Sequence, residues 1–230
     1  MADQDPTDDG GDLGRRFTRL AQVVAILRER CPWTGALTHQ SLLEYLIEEA
    51  YEVAEAVETG HTGPDDAREL AGELGDVLFQ VLLHARLQEE SGHFGIADVV
   101  ESLTAKMIRR NPHVFAPDGS VRATVTADTA EVEQAWDAVK RREKPERTSP
   151  FDGIPAGLPA LLLAAKTQER ARRAGLEVPS PTPEAAAGHT WQGSDELGDH
   201  LFDVVAQAQA QGLDAEAALR EAVRRFTAGR

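Results

Sequence analysis

Apolar positions recur at helical spacing along nearly the whole chain. Residues 15–30 set Phe17, Leu20, Val23, Val24 and Leu27 on one side, the three-and-four rhythm of a helix buried on one face. Cys31-Pro32-Trp33-Thr34-Gly35 ends it, because the residue before a proline disfavours the helical conformation. Thr38 suits the N-cap of a second helix, with Leu43, Leu46, Ile47, Ala50, Ala54 and Val57 as its apolar stripe and Glu44, Glu48, Glu52 and Glu55 opposite. Gly60-His61-Thr62-Gly63-Pro64 turns into a third helix. Pro64 fits its first position, and Asp65 and Asp66 suit its positive end. From Val77 this helix reads VLFQVLL. A break at residues 91–95 precedes a fourth helix over 96–110, carrying Val99, Val100, Leu103 and Met107. Residues 116–126 read as a loop. Asp128 and Glu131 then start a fifth helix over 129–143.

Residues 1–14 hold five Asp and three Gly and are expected to be a disordered acidic tail. Residues 145–158, rich in Pro, Gly and Ser, are the expected linker between a domain over 15–144 and a second over 159–230. The second half echoes the first. Ser194-Asp195-Glu196-Leu197-Gly198-Asp199 parallels the stretch ending Glu73-Leu74-Gly75-Asp76, and a further helix follows over 216–226. No paired-Glu helix precedes it; residues 165–173 and a loop over 179–193 stand there instead. The pattern is that of a duplicated fold with a degenerate second site.

Charge narrows the functional classes. A net charge of −15 argues against a nucleic-acid-binding surface without a strong local basic patch, and it suits a protein that meets polyanions through metal ions. Cys31 is alone, so neither a disulfide framework nor a cysteine metal cluster is expected. With no apolar run of about 18 residues and no signal peptide, the expected location is cytoplasmic and no membrane partner is expected.

The candidate chemistry lies in residues 41–87. Glu48, Glu49 and Glu52 on one helix and Glu73 and Asp76 on the next put carboxylates one turn apart. Packed antiparallel, the two helices would point four or five carboxylates into one gap. On the third helix Asp76 falls within about 20° of Leu83, and Glu73 lies between Gln80 and His84. Apolar neighbours flank this row, so it is expected to face protein. Buried carboxylates must be protonated, paired or bound to a cation. Few Lys or Arg stand at matching spacing, so a divalent cation is the simplest partner.

Lys106, Arg109 and Arg110 close the fourth helix before Asn111-Pro112. They either complement its dipole or bind phosphate oxygens. Trp136, Lys140 and Lys144 share a face of the fifth helix. They suit a nucleotide base and phosphate, or a core tryptophan with lysines snorkelling past it.

Taken together, Cys31-Pro32-Trp33, Thr38-His39, Ser41-Leu42, Tyr45-Leu46, Glu48-Glu49-Ala50-Tyr51-Glu52, Glu73-Leu74-Gly75-Asp76, the run over 109–115, Trp136, Lys140 and Leu158-Pro159-Ala160-Leu161 resemble the MazG-type nucleoside triphosphate pyrophosphohydrolases. The resemblance covers almost everything after the tail. It implies an all-α fold, a MazG-like helical bundle whose four-helix units are shared between subunits. It also implies Mg²⁺-dependent hydrolysis of nucleoside triphosphates to monophosphate and pyrophosphate. The family's EExxE and ExxD metal-ligand pattern lands on Glu48, Glu49, Glu52, Glu73 and Asp76. Thr34 stands where many members have Asp, Asn111 replaces the first His of RRHPHVF, and the second copy lacks EExxE, so the first half is expected to be the catalytic one.

An all-oxygen ligand set suits Mg²⁺, with Mn²⁺ as a substitute. Glu48 is the carboxylate expected to take the water's proton, while Lys106, Arg109, Arg110 and Lys140 offset phosphate charge. A homodimer or larger even-numbered oligomer is expected to complete the bundle. Two other readings fit less well. A ferritin-like di-metal oxidase wants Glu-x-x-His, which neither acidic motif supplies. A non-catalytic helical regulator would have no need to keep every carboxylate of the first half. Relatives acting on dUTP or phosphoribosyl-ATP share such carboxylate pairs, but the sequence around Trp33 and Arg110 favours the MazG group.

Overall fold

The structure is a computed structural model and describes residues 9–63, 66–124, 128–178 and 191–229. These residues form helices α1 (Asp9–Arg30), α2 (Pro32–Ala36), α3 (His39–Glu58), α4 (Ala67–Glu90), α5 (Ile96–Arg110), α6 (Thr129–Glu143), α7 (Ala160–Arg173), α8 (Ser194–Ala210) and α9 (Ala215–Ala228). An isolated antiparallel bridge between Phe115 and Val121 is the only β pairing among the described residues. The fold class is all-α, as expected. No helix of the described residues is long and apolar enough to cross a membrane.

The chain divides into two compact units, Met1–Ala135 and Trp136–Arg230. The division falls inside α6 rather than in the Pro-Gly-Ser stretch over 145–158. The last turns of that helix go with the second unit because Lys140 and the residues after it line a cleft with α7.

In the first unit α1 begins at Asp9, earlier than the expected residue 15. Asp12 pairs with Arg15 at 3.5 Å and with Arg16 at 2.5 Å, so the end of the acidic stretch carries its own one-turn ion pairs. Residues 1–8 of the expected tail lie outside the described residues. The α1–α2 corner is closed by Thr34, only 2% exposed, whose hydroxyl donates to the Leu27 carbonyl at 2.6 Å. Arg28 donates to the carbonyls of Thr34 and Leu37, and its guanidinium meets Glu90 at the end of α4 at 2.7 Å. The α3 N-terminus is capped as expected: Ser41 N donates to Thr38 Oγ1 at 3.2 Å and Thr38 N to Ser41 Oγ at 2.9 Å, a reciprocal capping box.

Helices α3 and α4 form an antiparallel hairpin. Its turn uses Gly60 at φ +93°, a left-handed conformation that a residue without Cβ adopts cheaply. His61 Nδ1 lies 3.0 Å from Glu69 across that turn. Pro64 and Asp65 lie outside the described residues; α4 is helical from Ala67, with Asp66 at its N-cap. The core of the unit is Val24, Leu37, Leu42, Leu82 and Leu83, backed by Phe17, Tyr45, Leu78 and Phe79.

The buried face of α3 differs from the expected one. Leu42 and Ala56 are buried, whereas Leu43 and Ile47 are 47% and 57% exposed and Tyr51 and Val57 are also exposed. The helix carries two apolar rows. The row through Leu42 and Ala56 packs inward, and the row through Leu43, Ile47 and Tyr51 is exposed. Leu20 on α1 and Val100 and Leu103 on α5 are likewise exposed.

In the second unit Ala171, Val205 and Ala206 are buried, with Gln168 fully enclosed among them. Gln168 Nε2 donates to the Phe202 carbonyl at 2.7 Å, and Gln209 Nε2 to the Ala165 carbonyl at 2.9 Å, so two glutamines fasten α7 to α8. Asp214 caps α9 by accepting from Glu216 N and Ala217 N. Residues 179–190 of the expected loop lie outside the described residues.

Candidate active site

Two helical periods bring the carboxylates together. Glu49 stands seven residues from both buried Leu42 and buried Ala56, within about 20° of each around the helix, so it rides the inward face of α3 and is half-buried. Glu52 follows one turn later. Across the hairpin, Glu73 on α4 is also half-buried. Glu49, Glu52 and Glu73 each offer an oxygen, and the three oxygens lie within 4.8 Å of one another.

Glu52 is the middle member, hydrogen-bonded to both Glu49 and Glu73. Loss of water raises the Glu49 pKa above its ordinary value, with the Glu52 hydrogen bond and repulsion from Asp76, Glu52 and Glu48 adding to it. Glu73 is raised for the same first reason, then by the charges of Glu52, Asp76 and Glu69. Each strongest neighbour of these two groups is therefore another acid. Asp76 acts on both by its charge, and Glu48 flanks Glu49. The five carboxylates thus fall within one electrostatic neighbourhood, with three close enough to share an ion.

One expectation about this row needs correction. Asp76 is exposed, not covered. The apolar residues flanking it on α4, Leu74 and Val81, are themselves exposed, while Glu73 one turn earlier is half-buried.

Lys106, Arg109 and Arg110 stand in the last turns of α5 in the same unit. Asn111 caps that helix, its side-chain amide donating to the Met107 carbonyl at 2.7 Å. Arg109 lines a cleft of about 520 Å³ with Pro112, Phe115 and Arg122. Trp136 and Lys140 belong to the second unit, where Lys140 lines a different cleft.

The sequence reading missed a histidine pair. His39 Nδ1 and His84 Nδ1 are 2.7 Å apart, with rings stacked at 5.0 Å and 11° between planes. Gln88 bridges His39 and His93. The pair lines an apolar cleft of about 350 Å³ with Leu46, Val81, Phe94 and Val99. A signal for it existed: Glu73, Gln80 and His84 share one row of α4. That row is polar and inward, since Gln80 is only 4% exposed.

Glu196 accepts a hydrogen bond from Gln192 N at 2.7 Å, holding the chain at the start of α8. Among the described residues, neither Glu196 nor Asp199 belongs to a group of three or more metal-ligating side chains.

A MazG nucleotide pyrophosphohydrolase domain matches residues 37–115, a stretch that begins just before α3 and ends just after α5. The chain is 36% identical to the nucleoside triphosphate pyrophosphohydrolase/pyrophosphatase MazG of Thermotoga maritima, over 94% of this chain and 84% of that protein. The chain belongs to the MazG family. It is accordingly a hydrolase of phosphoric anhydrides. The nucleoside triphosphate pyrophosphohydrolase of Escherichia coli K12 is 34% identical over 92% of this chain and 84% of its own length. An uncharacterized 26.1 kDa protein of Streptomyces cacaoi is 40% identical over 91% of this chain and 78% of its own. Against the MazG pattern, Thr34 in place of Asp has a local account, since its hydroxyl closes the α1–α2 corner. So has Asn111, which caps α5.

Proposed function

We propose that the first unit hydrolyses nucleoside triphosphates to monophosphate and pyrophosphate, using divalent cations held by Glu49, Glu52, Glu73 and Asp76. The observation that supports this is the convergence of the Glu49, Glu52 and Glu73 oxygens within 4.8 Å. Such a cluster repels itself, and a hard cation relieves that repulsion. An all-oxygen set on two rigid helices suits Mg²⁺, with Mn²⁺ as a substitute. When bound, such ions neutralise polyphosphate charge and make a water more acidic.

The protein's own groups then divide the remaining work. Glu52 stands between Glu49 and Glu73 and completes the set of oxygens. Glu48, exposed beside the triad, accepts the proton of the attacking water. Lys106, Arg109 and Arg110 offset charge on the β and γ phosphates. The second half, with Glu196 committed to the start of its own helix, takes no part in the chemistry. Damaged nucleotides belong among the candidate substrates.

Exposed Leu43, Ile47 and Tyr51 on α3, with exposed Leu74 and Val81 on α4, support a homodimer or larger even-numbered assembly. The test of the activity is product identification. The purified protein is incubated with Mg²⁺ and a panel of normal and oxidised NTPs and dNTPs. Monophosphate with pyrophosphate is expected; diphosphate with phosphate, or no turnover, overturns the proposal.

A further inference from the structure

We infer that the apolar cleft beside His39 and His84 takes the nucleobase of the substrate. This rests on the polyphosphate binding proposed above for the acidic cluster. Both sites belong to the α3–α4 hairpin of the first unit. Leu46, on the α3 wall of the cleft, stands three residues before Glu49, about 4.5 Å along the helix axis. On the α4 wall, His84 stands eleven residues past Glu73, about 16 Å along the axis and within about 20° of it around the helix. The cleft therefore begins about one turn from the cluster. A nucleoside triphosphate with its phosphates at Glu49, Glu52 and Glu73 reaches the cleft with its base by lying along the hairpin.

The lining suits a flat heteroaromatic ring. Leu46, Val81, Phe94 and Val99 make it apolar, and the stacked rings of His39 and His84 form an aromatic column that a further ring can extend. Its volume, about 350 Å³, falls within the range of small-ligand pockets. Hydrogen bonding fixes the polar character of the histidine end. His93 Nδ1 donates to Gln88 Oε1 at 2.8 Å, and Gln88 Nε2 donates to His39 Nε2 at 2.8 Å. His39 then carries its proton on Nδ1 and donates it to His84 Nδ1 at 2.7 Å, which leaves the His84 proton on Nε2. That nitrogen is buried and, among the described residues, has no hydrogen-bond partner. A base with an acceptor on its edge can relieve this unpaired donor, whereas a hydrocarbon cannot. Phe94 is 42% exposed, so this wall can shift as a base enters.

The experiment is calorimetric titration of the full chain in Mg²⁺ with the α,β-methylene analogue of ATP, whose bridging carbon blocks cleavage, and separately with inorganic tripolyphosphate, which has no base. Phe94→Ala should weaken the analogue about tenfold or more, the scale of one lost base–aromatic contact, and leave tripolyphosphate unchanged. Phe94→Trp should restore the analogue to within about threefold of the wild type. An analogue unaffected by Phe94→Ala, or equal weakening of both ligands, overturns the inference. So does loss of the analogue in Trp136→Ala with Phe94→Ala silent, which would put the base on the second unit. Tripolyphosphate binding without any effect of Phe94 leaves the metal reading standing and removes this one alone. If neither ligand binds the wild type, the metal reading fails and the inference falls with it.

Discussion

His39 and His84 face each other Nδ1 to Nδ1 at 2.7 Å, a contact that one shared proton satisfies and two do not. Burial and the neighbouring His39 hold the His84 pKa below its ordinary 6.5. The unfolded chain therefore binds this proton at a higher pH than the folded one. Its stabilising effect is complete above about 6.5 and is lost as pH falls toward the folded value. Melting of the wild type and His84→Gln between pH 8 and pH 5.5 should show the variant losing less stability on acidification. Parallel curves would refute this.

Glu49→Gln and Asp76→Asn keep size and shape while removing a charge from the acidic cluster. Each should lower turnover by about 10² or more, the usual scale for one lost electrostatic contact. Glu196→Gln and Asp199→Asn should stay within about threefold, because among the described residues neither belongs to a set of three metal-ligating side chains. Pyrophosphate release beside circular dichroism melts compares the four. Loss of activity in the second-half pair alone, without loss of stability, would reverse the assignment of halves.

The raised pKa values of Glu49 and Glu73 have the opposite sign from that of His84. The folded state binds their protons at a higher pH than the unfolded state, so metal-free protein should gain from these groups as pH falls through the folded values. Glu49→Gln should flatten that gain and should stabilise the EDTA-treated protein at pH 7. Adding Mg²⁺ should raise the wild-type melting temperature more than that of the variant. Equal responses would count against metal binding here.

Ile47→Glu places a charge in the uncovered row of α3. It should leave the helix content unchanged and shift light scattering toward a single chain, with turnover falling alongside. A wild type that is already monomeric and fully active at micromolar concentration would remove the proposed assembly.

Thr34→Val keeps shape but removes the hydroxyl that closes the α1–α2 corner. The Leu27 carbonyl loses that side-chain donor, at a cost of about 1–3 kcal/mol. Denaturant melts measure it, and turnover of the folded fraction should not change.

Legibility followed range. The bounds of α5 and α6 and the Thr38 cap were readable because Gly, Pro and capping residues act within one turn. The carboxylate cluster was readable because two short periods fix it once α3 and α4 pack antiparallel. The face of α3 was misread because a helix with two apolar rows does not say which row its own chain covers. The start of α1 was misread because an Asp-Gly stretch looks disordered until Asp12 is paired with Arg15 and Arg16. His39 and His84 are 45 residues apart, and no local rule joins them.

The Arg28–Glu90 contact gives the α3–α4 hairpin unequal ends. Near that contact stand Leu42, Leu82, Leu83 and Ala85, all buried; toward the turn, among the described residues, only Ala56 is. Amide hydrogen exchange should therefore begin at the turn and reach the Arg28 end last. Glu52 and Glu73 lie between these two ends. A cation joining them would act as a clasp on the loose half, slowing exchange around residues 53–72 far more than around 80–90. The metal would then set how often the hairpin opens as well as what chemistry it supports.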